Sequence, residues 1–269
     1  MSQIIDLNSN DLPAHKSQVS GNNFSFIHPL PVLEDNIIWI WTYKNEAVVV
    51  DPAIANPVIE WLEKRDLKLI AVLQTHHHDD HIGGTEALAR KWPDIKIIAS
   101  KDDFDRIPFQ NFPVKDGDEI SLFGYSIKIL GLPGHTSSHI GFYVVPQLSN
   151  NTNPLLFCGD TLFGAGCGRV FEGSNKQMYI SIQKINALPK ETLIFCAHEY
   201  TEKNILWALS LKPNSKELAK RLSSTRDIIK NGLITIPFIL EKERETNLFL
   251  KSRDITTFSL LRNHKNNWK

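Results

Sequence analysis

The 269 residues of the chain allow one large domain, or one large domain with a small appendage. With 42% hydrophobic and 22% charged residues the composition is that of an ordinary globular protein, and 30 basic residues balance 30 acidic ones. No global charge would therefore recruit nucleic acid or an anionic membrane. Three cysteines are too few for a disulfide framework, so we expect a reducing compartment and a cytoplasmic protein. We also expect neither nucleic acid nor membrane as a partner, and a monomer.

The N-terminal 23 residues are polar and lack the cationic start and apolar centre of a secretion signal. We expect residues 1–23 to form a mobile extension. No apolar run in the sequence approaches the ~18 residues that a membrane span needs. The remaining chain is predicted to divide into an α/β domain over residues 24–200 and a small helical domain over residues 201–269.

Short β-branched runs open the α/β domain. Residues 37–41 and 47–50 flank a turn and predict a hairpin. Asn56 is expected to cap a helix that has Pro57 at its first position. Residues 69–73 form a continuous apolar run, typical of a strand buried on both faces.

A cluster of four histidines and two aspartates follows that apolar run. If the chain stays extended there, His76 and His78 project to one side, because side chains alternate along a strand. Asp80 and His81 come next, where the chain should turn into a helix. Neutral imidazole and carboxylate groups suit zinc, iron or manganese, so the cluster predicts a metal site at the carboxyl end of a strand.

Three later strands also end next to a candidate ligand. They are predicted over residues 125–130, 155–158 and 193–196, and the side chains that follow them are His135, Asp160 and His198. This brings the candidate ligands to seven, whereas one zinc needs about four. Seven ligands, with a carboxylate able to bridge, suit two metal ions ~3.5–4 Å apart.

Other histidines and the cysteines are expected to have structural or surface positions. His77 and Asp79 alternate out of phase with the ligands and should face away. The residues without a metal-site context are His15, His28, His139 and His264. The three cysteines, Cys158, Cys167 and Cys196, are interpreted as small buried hydrophobes.

Helical patterns dominate the rest of the chain. They cover residues 177–188, 203–211 and 215–230, and a last helix through Trp268 could be capped by Asp254 or Thr256. The glycine-rich stretch 164–168 lacks the Gly-Lys-Ser/Thr ending of a phosphate-binding loop. It is predicted to be a flexible substrate loop.

These motifs together resemble a known group of metalloenzymes. The pattern Thr-His-His-His-x-Asp-His-x-Gly-Gly, with Gly-His-Thr, Gly-Asp-Thr and His198 downstream, is similar to the metallo-β-lactamase superfamily, whose fold is an αββα sandwich. Residues 159–169, 172–173, 197–201 and the tail 261–265 narrow the resemblance to glyoxalase II, the hydroxyacylglutathione hydrolases. The resemblance runs from about Pro31 to the C-terminus, and it implies that the small helical domain binds substrate.

The resemblance also implies a role for each candidate. One metal would be held by His76, His78 and His135, the other by Asp80, His81 and His198, with Asp160 bridging. Asp80 and Asp160 would be catalytic, Asp160 by orienting the nucleophile. Glutathione would contact Arg169, Phe171, His198, Tyr200, Arg262 and Lys265. Because glutathione carries two carboxylates, arginine forks suit it; without the resemblance, Arg262 and Lys265 would be read as a solvated helix face. Phe171 stands where some members have Tyr.

The function implied is hydrolysis of an S-(2-hydroxyacyl)glutathione, typically S-D-lactoylglutathione, to glutathione and D-lactate, the second step of methylglyoxal detoxification. It would use two divalent ions, zinc by preference, with iron or manganese as alternatives. A mononuclear iron persulfide dioxygenase of the same superfamily remains an alternative, as does a non-catalytic metal-binding or thiol-binding module. A lactonase, a β-lactamase or a nuclease is less favoured, and a nuclease would usually carry a basic surplus.

Overall fold

The computed structural model describes residues 5–6, 25–145 and 153–268. Apart from the two-residue strand β1 (Ile5–Asp6), the predicted extension over residues 1–23 lies outside the described residues. The described residues form two compact units. The first unit holds the residues up to Leu130 and those from Phe142 to Leu155; the second holds Gly131–Gly141 and the residues from Leu156 onward.

A seven-stranded sheet forms the larger part of the first unit. Its strands lie side by side in chain order: β1, β2 (Ser25–Val32), β3 (Asn36–Tyr43), β4 (Glu46–Val50), β5 (Lys68–Leu73), β6 (Lys96–Ser100) and β7 (Phe112–Val114). The strands from β1 to β4 are antiparallel, and those from β4 to β7 are parallel. The predicted hairpin is confirmed, with Trp41 opposite Val48.

Parallel strands need crossover connections, and helices supply them here. Helix α1 (Ala55–Glu63) links β4 to β5, and α2 (Asp79–Ile82) and α3 (Thr85–Lys91) link β5 to β6. The predicted cap was wrong: α1 begins before Asn56, and the residue at its cap position is Ile54, which has no side-chain acceptor. Buried Val58, Leu62 and Leu88 from α1 and α3 belong to one hydrophobic cluster with the strands.

A second layer of the first unit comes from β8 (Glu119–Leu122), β9 (Tyr125–Gly131) and β10 (Ile140–Val144), in the order β10, β9, β8. Trp41 of β3 packs edge-on against Phe123 and Tyr125, with ring centroids 5.3 and 5.4 Å apart. Ser25 and Tyr125 share a hydrogen bond of 3.2 Å. The first unit is therefore built from two layers of strands with an apolar interior.

Two strands of the second unit end shortly before predicted ligands, Asp160 and His198. β11 (Leu155–Gly159), β14 (Leu193–Cys196) and β15 (Phe238–Ile239) lie in the order β15, β14, β11, and β12 (Leu162–Phe163) pairs with β13 (Gly166–Cys167) in a tight hairpin. The division between the units falls within β11, and likewise within β10.

Five helices complete the second unit. They are α4 (Asn175–Asn186), α5 (Thr201–Leu211), α6 (Lys216–Lys230), α7 (Leu240–Thr246) and α8 (Ile255–Asn267). Asp254 caps α8 by accepting a hydrogen bond from the Thr257 backbone N–H at 2.7 Å, as one of the two predicted caps. Trp207 stacks on Phe249 with centroids 5.1 Å apart, and Phe258 packs against Phe249. These aromatic contacts form the core between the C-terminal helices.

None of the helices in the described ranges is long and apolar enough to cross a membrane. The division of the chain at residue 200 stays a prediction.

Candidate metal centre

The histidine cluster lies at the carboxyl end of β5, as predicted. After β5 the chain is extended through His76 and His78 and then enters α2, which carries Asp80 and His81. His76 Nε2 lies 3.1 Å from His78 Nδ1, and the ring centroids of His76 and His81 are 4.0 Å apart. His76 and His81 are fully buried. Three imidazoles therefore converge within the first unit.

Asp51 holds two of these imidazoles in place. Its carboxylate accepts hydrogen bonds from the Thr75 backbone N–H at 2.8 Å and from the Thr75 hydroxyl at 2.7 Å, and its Oδ2 lies 3.1 Å from His81 Nδ1. Since the Thr75 hydroxyl donates to Asp51, it can accept from His76 Nδ1 at 3.0 Å. Both rings would then carry their proton on Nδ1 and leave Nε2 for a metal.

Asn36, at the start of β3, fixes the next ligand. Its Nδ2 donates both to the Asp80 backbone carbonyl and to Asp80 Oδ2, each at 3.1 Å. Asp80 Oδ2 lies 3.7 Å from His81 Nε2. The sequence analysis missed Asp51 and Asn36; the available signal was that both stand at the ends of strands.

His77 has different partners, in keeping with its expected orientation. Its Nδ1 lies 3.7 Å from the buried carboxylate of Asp103, and its Nε2 lies 3.4 Å from Arg106 Nη1. Arg106 pairs with Asp103 through Nε at 2.8 Å.

The second unit brings its three predicted ligands together. Asp160 follows β11, and each of its oxygens faces one imidazole: Oδ2 lies 3.4 Å from His135 Nε2, and Oδ1 lies 3.4 Å from His198 Nε2. His135 Nδ1 lies 2.8 Å from the Arg169 carbonyl, which fixes the ring proton on Nδ1 and leaves Nε2 unprotonated, the form that can ligate a metal. All three side chains are buried.

His139, expected to be structural, also contacts this group. The Asp160 backbone N–H donates to His139 Nε2 at 3.2 Å, and His139 Nδ1 lies 3.3 Å from the Thr161 hydroxyl. The imidazole of His139 is therefore neutral with its proton on Nδ1 in this arrangement, and it holds the main chain at Asp160.

The predicted glutathione contacts fall into two groups. Arg169 and Phe171 are exposed, with the guanidinium carbon 5.9 Å from the ring centroid, and Phe171 is 61% exposed. Tyr200 lies flat on His198, with centroids 4.9 Å apart and the rings 4° from parallel.

Arg262 and Lys265 are instead packed against the β12–β13 hairpin. Arg262 is 3% exposed, and its Nη1 donates to the carbonyl oxygens of Cys167 at 2.9 Å and Gly168 at 3.3 Å. Lys265 donates to the Asn204 side-chain carbonyl, and its Nζ lies 4.9 Å from the Trp207 ring centroid. Burial lowers the pKa of the Lys265 ammonium from 10.5 to about 7. A solvated helix face is thus ruled out for both.

Two further expectations concern the hairpin and the cysteines. The prediction of a flexible loop over residues 164–168 was wrong: the segment is buried, and side chains such as Asn204, which donates to the Gly164 carbonyl at 2.9 Å, hold its backbone. The three cysteines are buried, as predicted, and none of them is in a disulfide.

All seven predicted ligands belong to groups of histidine and aspartate side chains that could hold a metal ion. The chain therefore has the donor set of a metal-binding protein.

Two family models match the chain in succession. The metallo-β-lactamase superfamily model matches residues 30–198, and the model described as hydroxyacylglutathione hydrolase C-terminus matches residues 199–268. A protein named hydroxyacylglutathione hydrolase from Prochlorococcus marinus (strain MIT 9211) is 52% identical over 90% of this chain and 96% of its own. One of the same name from Synechococcus sp. (strain CC9605) is 49% identical over 91% and 98%.

Solved structures share the fold. ETHE1 from Myxococcus xanthus has a TM-score of 0.64 at 21% identity, covering 90% of this chain and 92% of that one. A metallo-β-lactamase from Staphylococcus aureus subsp. aureus COL has a TM-score of 0.64 at 23% identity, covering 87% of this chain and 64% of that one. The predicted fold class, a metallo-β-lactamase-like α/β fold with a C-terminal helical region, is confirmed. The chain belongs to the hydroxyacylglutathione hydrolase family of the metallo-β-lactamase superfamily.

Proposed function

We propose that the chain is a metal-dependent thioester hydrolase that cleaves S-(2-hydroxyacyl)glutathione, typically S-D-lactoylglutathione, to glutathione and D-lactate. The observation that carries the proposal is Asp160 with one histidine Nε2 at each carboxylate oxygen, in a chain about half identical to relatives named for this activity. Such a carboxylate is suited to bridge two ions.

The residues present fit two divalent metal ions. The donors are imidazole nitrogens and carboxylate oxygens, and their hydrogen bonds to Asp51 and to the Arg169 carbonyl place the ring proton of His81 and His135 on Nδ1, so that Nε2 keeps its lone pair for a metal. We assign one ion, preferably zinc, to His76, His78 and His135, the other to Asp80, His81 and His198, and both to Asp160. When bound, the ions would lower the pKa of a water to about 7 and polarise the thioester carbonyl.

The chain's own residues then orient the reactants. Asp160 accepts a hydrogen bond from the attacking water and directs it at the carbonyl carbon, while Asn36 keeps Asp80 oriented. The leaving thiol has a pKa of about 8.5, so the thiolate departs with little help from a general acid.

Glutathione is proposed to contact Arg169, Phe171, His198, Tyr200, Arg262 and Lys265. Arg169 presents an exposed guanidinium that can bind a carboxylate with two parallel hydrogen bonds. Tyr200, stacked on His198, can place its hydroxyl beside the substrate. Phe171 offers a ring without a hydroxyl, and so contributes contact area only. The cytoplasmic location and the monomeric state remain predictions.

The test combines metal analysis with hydrolysis of S-D-lactoylglutathione, followed as release of free thiol, in zinc-, iron- and manganese-loaded protein. We expect two ions per chain and thiol release. Asp80→Asn should lose a metal and most activity, whereas Asp79→Asn, its exposed neighbour on α2, should keep both. No thiol release in any metal form would refute the proposal, and one iron per chain with oxygen uptake would favour the dioxygenase.

A further inference from the structure

We propose that Glu243 is a positioning residue, which holds the β12–β13 hairpin so that Asp160 and His135 keep the geometry of the metal centre. This inference rests on the proposed function only for the identity of the reaction.

Glu243 lies on α7 and is 0% exposed. Its Oε1 accepts hydrogen bonds from the Ala165 backbone N–H at 2.5 Å and from Asn247 Nδ2 at 2.8 Å. Its Oε2 accepts from Arg221 Nη2 at 2.5 Å. A carboxylate buried this deeply is tolerated only with such partners, and one of them is the main chain of the hairpin.

The tip of the hairpin needs this support. Ala165 has a φ of 56°, in the left-handed region that disfavours side chains, and its amide lies between two very short strands. Asn247, itself bound to Glu243, donates from Nδ2 to the carbonyl oxygens of Gly166 at 2.9 Å and Phe163 at 3.3 Å. The Glu243 and Asn247 side chains thus satisfy backbone groups on both sides of the tip.

The position of the hairpin determines the positions of two proposed ligands, Asp160 and His135. It joins Asp160 to Arg169, whose carbonyl fixes His135. At its far end, Gly168 donates to the Thr161 carbonyl at 3.2 Å, and a Cβ at this glycine would lie 1.9 Å from the Asp160 carbonyl oxygen. A displaced hairpin would therefore shift Asp160 and His135 together, and misplacement of about 1 Å is enough to cost ~100-fold in rate.

A matched pair of variants distinguishes the hydrogen bond from Ala165 to Glu243 from the ion pair that Glu243 forms with Arg221. E243Q/R221M and E243M/R221M both remove the charges, but only the glutamine retains an oxygen that can accept from Ala165. We expect E243M/R221M to raise hydrogen exchange of the peptide containing residues 163–168, to shift the visible spectrum of the cobalt-loaded protein, and to lower cobalt affinity and kcat by about 10–100-fold. E243Q/R221M should stay near the parent in hydrogen exchange, cobalt spectrum, cobalt affinity and kcat. The same is expected of E245A, whose exposed side chain lies on the same helix.

If E243Q/R221M and E243M/R221M have the same hydrogen exchange, the same cobalt spectrum and the same cobalt affinity, the proposal is overturned. If E243M/R221M does not fold, E243D decides, because its carboxylate keeps its charge opposite Arg221 but is one methylene too short for Ala165. Parent-like exchange and cobalt affinity in E243D would refute the positioning role. Exchange and affinity are read without thioester turnover, so a parent protein that fails to hydrolyse the thioester counts against the proposed function alone.

Discussion

Arg262 donates from Nη1 to the carbonyl oxygen of Cys167 at 2.9 Å, and this bond ties α8 to the β12–β13 hairpin. The same guanidinium donates from Nε to Asn266 Oδ1 at 2.9 Å and lies 5.3 Å from the Phe249 ring centroid. An arginine predicted to bind glutathione therefore also supports the loop that leads to Arg169.

Replacing Arg262 by Lys should destabilise the folded protein even though the positive charge is kept. A lysine ammonium cannot reproduce the planar fork, so buried carbonyl oxygens at Cys167 and Gly168 would lose their donor. We expect Arg262→Lys to lower the free energy of unfolding by about 1–3 kcal/mol, measured by urea denaturation. Arg253→Lys, at an exposed position before α8, is the control and should leave the unfolding free energy within about 0.5 kcal/mol.

The lowered pKa of Lys265 predicts that the free energy of unfolding rises with pH. Burial, with a smaller contribution from the Arg262 charge, lowers its pKa from 10.5 to about 7 in the folded protein. Above pH 7 the native lysine loses its proton while the unfolded lysine keeps it, so the unfolded state binds more protons and stability increases from about pH 7 toward 10.5. The increase should approach at most about 1.4 kcal/mol per pH unit.

Urea unfolding of the parent and of Lys265→Met between pH 6.5 and 8.5 measures this contribution. The variant should lack the slope, and its KM for the glutathione thioester should no longer rise above pH 7, where the parent loses the ammonium. Parallel stability profiles for the two proteins would show that Lys265 keeps an ordinary pKa.

Gly168 cannot accept a side chain. The Cβ of an alanine would lie 1.9 Å from the Asp160 carbonyl oxygen and 3.4 Å from His135 Nδ1. We expect Gly168→Ala to lower the unfolding free energy by about 3 kcal/mol and kcat by ~100-fold, since the main chain at Asp160 must move. Gly232→Ala is the control: its φ is 72°, but no atom lies within 4 Å of the added Cβ, so it should cost only about 1–2 kcal/mol and leave kcat unchanged.

The positions of the candidate ligands could be predicted because they depend on local pattern. Apolar runs such as residues 69–73 mark buried strands, and polar side chains after them mark the carboxyl ends, which is why His76 and Asp160 could be identified from sequence. The partners of the ligands could not. Asp51 reaches Thr75 and His81 only because β4 lies beside β5, a pairing that no local pattern determines.

The environment of α8 shows the same limit. Arg262 and Lys265 look like solvated residues on a polar helix, and the resemblance to a family indicated that they bind substrate. Their burial follows from packing against the hairpin, which depends on how α5, α7 and α8 assemble. The hairpin itself looked flexible because glycines dominate it, whereas side chains distant in sequence fix it.

Asp51 should prove necessary for metal binding without being a ligand. In Asp51→Asn, one of the two oxygens becomes an NH₂ group. Whichever way the amide is turned, this donor faces either the Thr75 backbone N–H, or the Thr75 hydroxyl and His81 Nδ1, so the three bonds to Asp51 cannot all be kept. Either mismatch disturbs the bonds through Thr75 and Asp51 that keep Nε2 of His76 and His81 unprotonated. We expect metal affinity to fall by about 10–100-fold, measured by competition with a chromogenic chelator. Asp66→Asn, at an exposed turn of the same unit, should bind metal like the parent. Unaltered affinity in Asp51→Asn would mean that the orientation of His81 depends on other contacts.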